Sequence, residues 1–347
     1  MLKIAITADP ELPVPPGLYG GIERIIAMLI KNYTVSGHQV SLFAHAGSVT
    51  EAKLYPYPGK GNSITDSIKN SYLINRTLFA SRPDIIHSFS RLAYLLPQLP
   101  IGVPKIMSYQ REPTISQVKK AYRIAKKDTL YFTGCSDYIS RKIAPFAPAY
   151  TIYNGVGPEK YQFKASVAPD APLVFLGRIE PIKGTHIAIE LAKKTAKKLV
   201  IAGNIPAGHQ EYFDSMIKPH LSDDITYIGA VNDEQKNILL GQAAAFLMPI
   251  QWNEPFGIVM IEAMACGTPV IGFNKGAVSE VIENNIDGFY GDTVAELVGC
   301  INRIAGISRT TVWQKFEKRF SSEIIAANYL QLYQELINKT KLSTTLK

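Results

Sequence analysis

Short apolar runs alternate along the chain with longer stretches in which apolar positions recur every three or four residues. LKIAIT (2–7) reads as a buried strand. Ile22, Ile25, Ile26, Leu29, Ile30 and Tyr33 then follow at helical spacing, Gly37 ends that helix, and QVSLFA (39–44) is the next strand. Further strands are predicted at 84–89, 105–109, 130–135 and 149–154. Such alternation implies a parallel α/β sheet with right-handed crossovers. Regular patterning lapses through KYQFKASVAPDAP (160–172), which reads as a linker, and then resumes. Strands are predicted at 173–177, 198–203, 225–229, 243–250 and 268–273, with helices at 186–197 and 257–266. A last helix over 321–337 places apolar residues at 325, 329, 330, 332, 333 and 336.

The expected organisation is therefore two doubly wound parallel-sheet domains, 1–160 and 161–320, with 321–347 a terminal helix returning to the first. A chain of 347 residues suits two domains and buries enough surface to need no disulfide or structural metal. Cys135, Cys266 and Cys300 are far apart and read as reduced thiols. No signal peptide and no run of about 18 apolar residues is visible, so a cytoplasmic protein is expected. Dividing the charge changes the picture more than its total of +8 does. Residues 1–165 hold 20 Lys/Arg against 10 Asp/Glu, whereas 166–347 hold 17 against 19. The first half thus suits an anionic partner.

Three segments carry candidate chemistry. In Glu254-Pro-Phe-Gly-Ile-Val-Met-Ile-Glu262 a loop enters a helix near Gly257, and Glu262 lies roughly 1.5 turns inside it. The N–H groups of Gly257, Ile258 and Val259 suit a diphosphate, while Glu254 and Glu262 can accept bonds from sugar and ribose hydroxyls. In Gly177-Arg178-Ile179-Glu180-Pro181-Ile182-Lys183-Gly184 two cations sit on a strand-to-helix loop, where both can reach one diphosphate. In Tyr19-Gly20-Gly21-Ile22-Glu23-Arg24 paired glycines let the backbone approach a ligand, and Glu23 suits the helix dipole. No complete dinucleotide fingerprint and no Walker motif occurs, which disfavours a redox enzyme or a P-loop protein.

Together YGGIER, DIIHSF, IYNGV, FLGRIEPIKG, LVIAGN, YIGAV and EPFGIVMIEAMACGTPVI resemble family 4 glycosyltransferases of the GT-B fold, over nearly the whole chain. The resemblance implies two Rossmann-like domains facing across a cleft, and a nucleotide-sugar donor, a UDP-sugar above all. It implies transfer to a hydroxyl acceptor with retained configuration and without metal or other cofactor. It assigns the diphosphate to Gly20, Gly21, Arg178 and Lys183, sugar hydroxyls to Glu254, and ribose to Glu262. The base falls to the loop around Gly229 and Val231, and Phe256 belongs to the donor motif. His87, at the end of the strand in DIIHSF, is placed beside the donor sugar, and Arg111 and Glu112 on the acceptor side. Metal independence agrees with the absence of any pair of Asp at i, i+2.

Such a transfer needs no placed nucleophile, because the leaving diphosphate can take the acceptor's proton on the same face. The alternatives are a GT-B sugar-nucleotide epimerase or phosphorylase and, in another class, a non-enzymatic sugar-nucleotide-binding protein. Residues 115–127 read as one helix bearing Lys119, Lys120, Arg123, Lys126 and Lys127, with Val118, Tyr122 and Ala125 packed. That helix is expected to meet an anionic lipid-linked or polysaccharide acceptor, or an anionic membrane face. No nucleic acid is expected as a partner. Trp252 and Cys266 read as packing.

Overall fold

The computed structural model describes residues 1–17, 20–61 and 63–345, and forms two compact units. One holds Met1–Asn154 and the chain from Ser322 onward; the other is Gly155–Ser321.

In the first unit the strands are β1 (Lys3–Thr7), β2 (Gln39–Ala44), β3 (Lys53–Pro56), β4 (Ile85–Ser88), β5 (Lys105–Tyr109), β6 (Leu130–Gly134) and β7 (Ala149–Thr151). They form one parallel sheet in the order β3-β2-β1-β4-β5-β6-β7. The helices between them are α1 (Gly21–Val35), α2 (Ile64–Ser81), α3 (Ile115–Ile124) and α4 (Asp137–Ile143). Every residue of β4, β5 and β6 is buried, so these runs are mostly apolar without strict alternation, and their polar members His87, Ser88, Lys105, Ser108 and Thr133 are buried too. Side-chain oxygens of Ser63 and Ser136 cap α2 and α4.

The second unit repeats the plan with β8 (Leu173–Leu176), β9 (Leu199–Ala202), β10 (Ile225–Tyr227), β11 (Ala245–Met248), β12 (Val270–Phe273) and β13 (Gly288–Gly291). Their order is β10-β9-β8-β11-β12-β13, all parallel. Its helices are α5 (Thr185–Thr195), α6 (Gln210–Met216), α7 (Asp233–Gln242), α8 (Ile258–Ala265), α9 (Val278–Val281), α10 (Val294–Asn302) and α11 (Arg309–Phe320). Its core is built on Leu173, Phe175, Ile189, Ile201, Leu247, Ile271 and Phe289. The stretch 160–172 is not a free linker, because its backbone is held by this unit. The Lys164 N–H bonds to Cys266 O at 3.1 Å, and buried Arg309 donates to the carbonyls of Lys164, Gly241 and Ala243 at 2.7, 3.0 and 2.8 Å. Val156 also bridges to Ser321, so chain entry and exit lie side by side in this unit.

The last helix, α12 (Ser322–Thr345), packs on α1 and closes the first unit. It buries Ile325, Tyr329, Leu332, Tyr333 and Leu336, and the Tyr333 hydroxyl lies 3.1 Å from that of Tyr33.

The basic segment at 115–127 differs from its sequence reading. α3 ends at Ile124, Ala125 turns to extended backbone, and Lys126 and Lys127 lie beyond the helix. The Lys126 N–H bonds to Leu99 O at 2.8 Å, which pulls the chain out of the helical path. Val118 and Ala121 are the buried residues, Tyr122 is exposed, and Lys119 lies 3.9 Å over the Phe146 ring. The five cations therefore do not share one helical face.

Candidate active site

In both sheets the strand order reverses beside the first strand, at β1/β4 and at β8/β11. In open α/β sheets such a point opens a crevice at the carboxyl ends of the strands. The loop 177–184 leaves β8 and the loop 249–257 leaves β11, so the two strongest motifs of the sequence meet there. Gly184 has φ +76°, and a Cβ on it would lie 1.9 Å from the Pro249 carbonyl oxygen, so only glycine lets the loops touch. Gly276 plays the same part behind Glu254: a Cβ there would fall 2.2 Å from the Glu254 carbonyl oxygen. The Ala277 N–H donates to that oxygen at 2.9 Å and fixes the loop from below.

Lys183 Nζ donates to Glu254 Oε2 at 2.9 Å, and both side chains are mostly buried. Trp252 Nε1 donates to the same oxygen at 3.2 Å, and Lys183 Nζ stands 5.2 Å from the Trp252 ring centroid. Trp252 is thus part of this cluster rather than packing alone. Arg178, on the same loop as Lys183, bridges to buried Glu180 at 2.8 Å. Gly257 is the N-cap of α8, with no side chain capping the helix and no acid in its first turn. Half-buried Gly257, Ile258 and Val259 therefore offer backbone N–H groups to an anion. Phe256 is a correction: its side chain is buried against Phe320, ring centroids 6.0 Å apart, and cannot face a ligand.

Glu262 lies inside α8 and is buried, yet it is charge-matched. Its Oε1 accepts from Lys236 Nζ at 2.5 Å and from the Tyr161 hydroxyl at 2.7 Å. Burial, with the Glu262 carboxylate beside it, pushes the Tyr161 hydroxyl far above its ordinary range, so it stays a donor. Lys236 comes from α7, 26 residues away, and Tyr161 from the entry segment. No motif spacing announces either residue; only their types, a cation and a phenol, fit a buried acid. Gly229 and Val231 lie on the exposed loop between β10 and α7, the helix that carries Lys236.

The first unit holds the other candidates. Gly20 caps α1 and Gly21 opens it, with Glu23 buried in its first turn; Tyr19 lies outside the described residues. His87 is corrected from a ligand-facing group to a core residue. It is the third residue of β4, fully buried, with Nδ1 2.5 Å from the Tyr333 hydroxyl and Nε2 2.6 Å from Ser108 Oγ. Burial pushes its pKa down to about 3, so the ring is neutral. Ser108 is followed by Thr133 at 2.5 Å, and a separate cluster places Thr7 2.8 Å from both Ser88 and Ser90. Arg111 and Glu112 are exposed; Glu112 accepts from Lys142 Nζ at 2.6 Å and from the Tyr138 hydroxyl.

Residues 159–305 match the family model described as "Glycosyl transferases group 1". The chain is 23% identical to spore coat protein SA of Bacillus subtilis, covering 96% of this chain and all of that one. It is 27% identical to AviGT4, a glycosyltransferase involved in avilamycin A biosynthesis, with a TM-score of 0.73 over 97% of this chain and 98% of that one. The fold is also that of Anabaena Alr3699/HepE in complex with UDP and glucose, at 17% identity, TM-score 0.73, and coverage of 96% and 100%. Two parallel-sheet units, the loops that meet after β8 and β11, and these similarities lead to one conclusion. The chain is a glycosyltransferase of the GT-B type, with its group 1 domain in the second unit.

Proposed function

We propose that this glycosyltransferase moves a hexosyl group from a UDP-sugar to a hydroxyl acceptor, with retention of configuration and without a metal ion. The observation that carries the reading is the pairing of Lys183 with Glu254 where the loops after β8 and β11 meet. A cation for the diphosphate and a carboxylate for sugar hydroxyls thus stand side by side, next to Arg178 and the uncapped start of α8. Arg178, Lys183 and the α8 N–H groups offset the charge that grows on the departing phosphate oxygen. Glu254 orients the sugar through its hydroxyls, and Trp252 holds Glu254. Glu262, held by Tyr161 and Lys236, keeps Oε2 to receive a ribose hydroxyl. The bond from the anomeric carbon to the phosphate oxygen breaks as that to the acceptor oxygen forms on the same face. The acceptor's proton passes to the leaving phosphate. The likeness to a fold solved with UDP and glucose supports the choice of base.

The test is a thermal-shift panel of UDP-, GDP- and ADP-sugars, followed by turnover in EDTA with the best ligand. A ligand at 100 times its Kd stabilises by about 2.7 kcal/mol. UDP-sugar stabilisation with UDP release and an α-linked product from an α-linked donor supports the reading. A preference for GDP- or ADP-sugars, activity lost in EDTA, an inverted product, or binding without transfer would each overturn its corresponding part.

A further inference from the structure

One face of α2 carries apolar side chains that are largely exposed among the described residues. Ile64, Ile68, Tyr72 and Phe79 are 81%, 63%, 66% and 51% exposed. Their spacings of four, four and seven residues put them in one stripe along the helix. Lys69 and Arg76, both exposed, run along one edge of that stripe. The helix's one carboxylate, Asp66, is in its first turn, where it faces the positive end of the helix. Beyond Arg76, between α2 and the edge strand β3, lies a groove of about 370 Å³ lined by Lys53, Tyr55, Arg76, Thr77, Ala80 and Ser81. Two cations and three hydroxyls in one shallow groove match a phosphodiester headgroup. The unit that carries this face holds 21 Lys/Arg against 11 Asp/Glu, a net of +10.

We propose that α2 docks this protein on an anionic lipid surface. The apolar stripe enters the boundary between headgroups and acyl chains, and Lys69, Arg76 and Lys53 meet lipid phosphates. A second copy of this chain suits the face less well, because its basic edge offers no acid to a like partner. The helix does not span: no helix among the described residues is long and apolar enough to cross a membrane. This surface lies away from α3 in the sequence and does not depend on the donor assignment above.

The experiment is co-sedimentation of the whole protein with vesicles of phosphatidylcholine alone, or of phosphatidylcholine and phosphatidylglycerol in equal parts, at low and high salt. Binding is expected on the anionic vesicles at low salt only. The double variant Lys69→Ala/Arg76→Ala should bind about 30-fold more weakly, at about 1 kcal/mol per cation. Tyr72→Ser/Phe79→Ser should lose binding by more than about tenfold, given the apolar area removed. Lys119→Ala/Lys120→Ala on α3 should bind as the parent does. All of these positions are exposed, so unfolding temperatures should not move. Equal binding to neutral vesicles, or no loss in the α2 variants, overturns the proposal. So does a dimer in light scattering that Tyr72→Ser/Phe79→Ser dissolves without any vesicle binding.

Discussion

At the order reversal of the first unit, a neutral His87 is buried between the hydroxyls of Ser108 and Tyr333, and Thr7, Ser88 and Ser90 form a separate buried hydroxyl cluster. At the corresponding place in the second unit stand Arg178, Lys183, Glu254 and Trp252, charged and partly open. The overall balance follows the same divide: the first unit carries a net of +10, the second 16 Lys/Arg against 18 Asp/Glu. The sheets share a topology, so topology does not assign the chemistry; the residues placed on the loops do. His87 and Ser108 bond to tyrosines of α12 and so help to hold that helix, whereas the set in the second unit keeps its charges on loops.

That contrast can be broken most directly at Lys183. Lys183→Ala should cut kcat/KM by about 10²-fold or more, since it removes a charge-assisted contact that strengthens as phosphate leaves, while the protein stays folded, as circular dichroism would check. Near-normal steady-state kinetics would take Lys183 out of the site. His87→Ala should behave in the opposite way. It leaves a cavity and takes one partner from each of two buried hydroxyls, at a cost of about 2–4 kcal/mol in denaturant unfolding. The activity of the folded fraction should stay within about threefold of the parent. A large rate loss with unchanged stability would return His87 to the chemistry.

Lys236→Met sharpens the picture within the second unit. It strips buried Glu262 of its cation, and calorimetry should find the nucleoside diphosphate bound about tenfold more weakly, with Tyr161→Phe weakening it less. Unchanged affinity in both would separate Glu262 from ribose.

The comparison extends to the pH dependence of stability, where the two units should slope in opposite directions. His87 is held at about 3, below its ordinary 6.5, so the stability it lends is present above pH 6.5 and is lost as pH falls below that. Asp287 is fully buried; its Oδ1 accepts from the Glu283 N–H at 2.7 Å, and its Oδ2 has no partner among the described residues. Burial raises it from 3.8 to about 6, so its contribution is present below pH 3.8 and is lost as pH rises through 6. Asp287→Asn should flatten that loss in pH-dependent unfolding. An unchanged profile would show that Asp287 does not set it.

Much of this plan is readable in the sequence, and the exceptions have physical causes. QVSLFA and KIMSY coincide with β2 and β5, because a central parallel strand is apolar on both faces. The same property hides side-chain direction, which is why His87 reads as a strand-end ligand group when its ring points into the core. β3 (KLYP) and β13 (GFYG) are too short, and too rich in proline or glycine, to stand out by pattern. The loops bearing Lys183 and Glu254 are visible because each is a local run of residues with its own turn chemistry. Tyr161, Lys236 and Arg309 are not, since only tertiary packing brings them to their partners. α3 stops short because a backbone bond to Leu99 outcompetes another helical turn, and helical periodicity carries no trace of that bond.

The docking of α12 also sets an order of events during synthesis. The second unit is one continuous stretch, complete once Ser321 has left the ribosome. The first unit is not: until residues 322 onward emerge, Tyr33, His87 and Ser108 lack the tyrosines that cover them. The part made first therefore finishes last, reversing the usual amino-to-carboxyl sequence of domain folding. A nascent chain stalled before residue 322 would hold a finished carboxyl-terminal unit and an amino-terminal sheet with one flank bare, a form that chaperones and proteases would recognise.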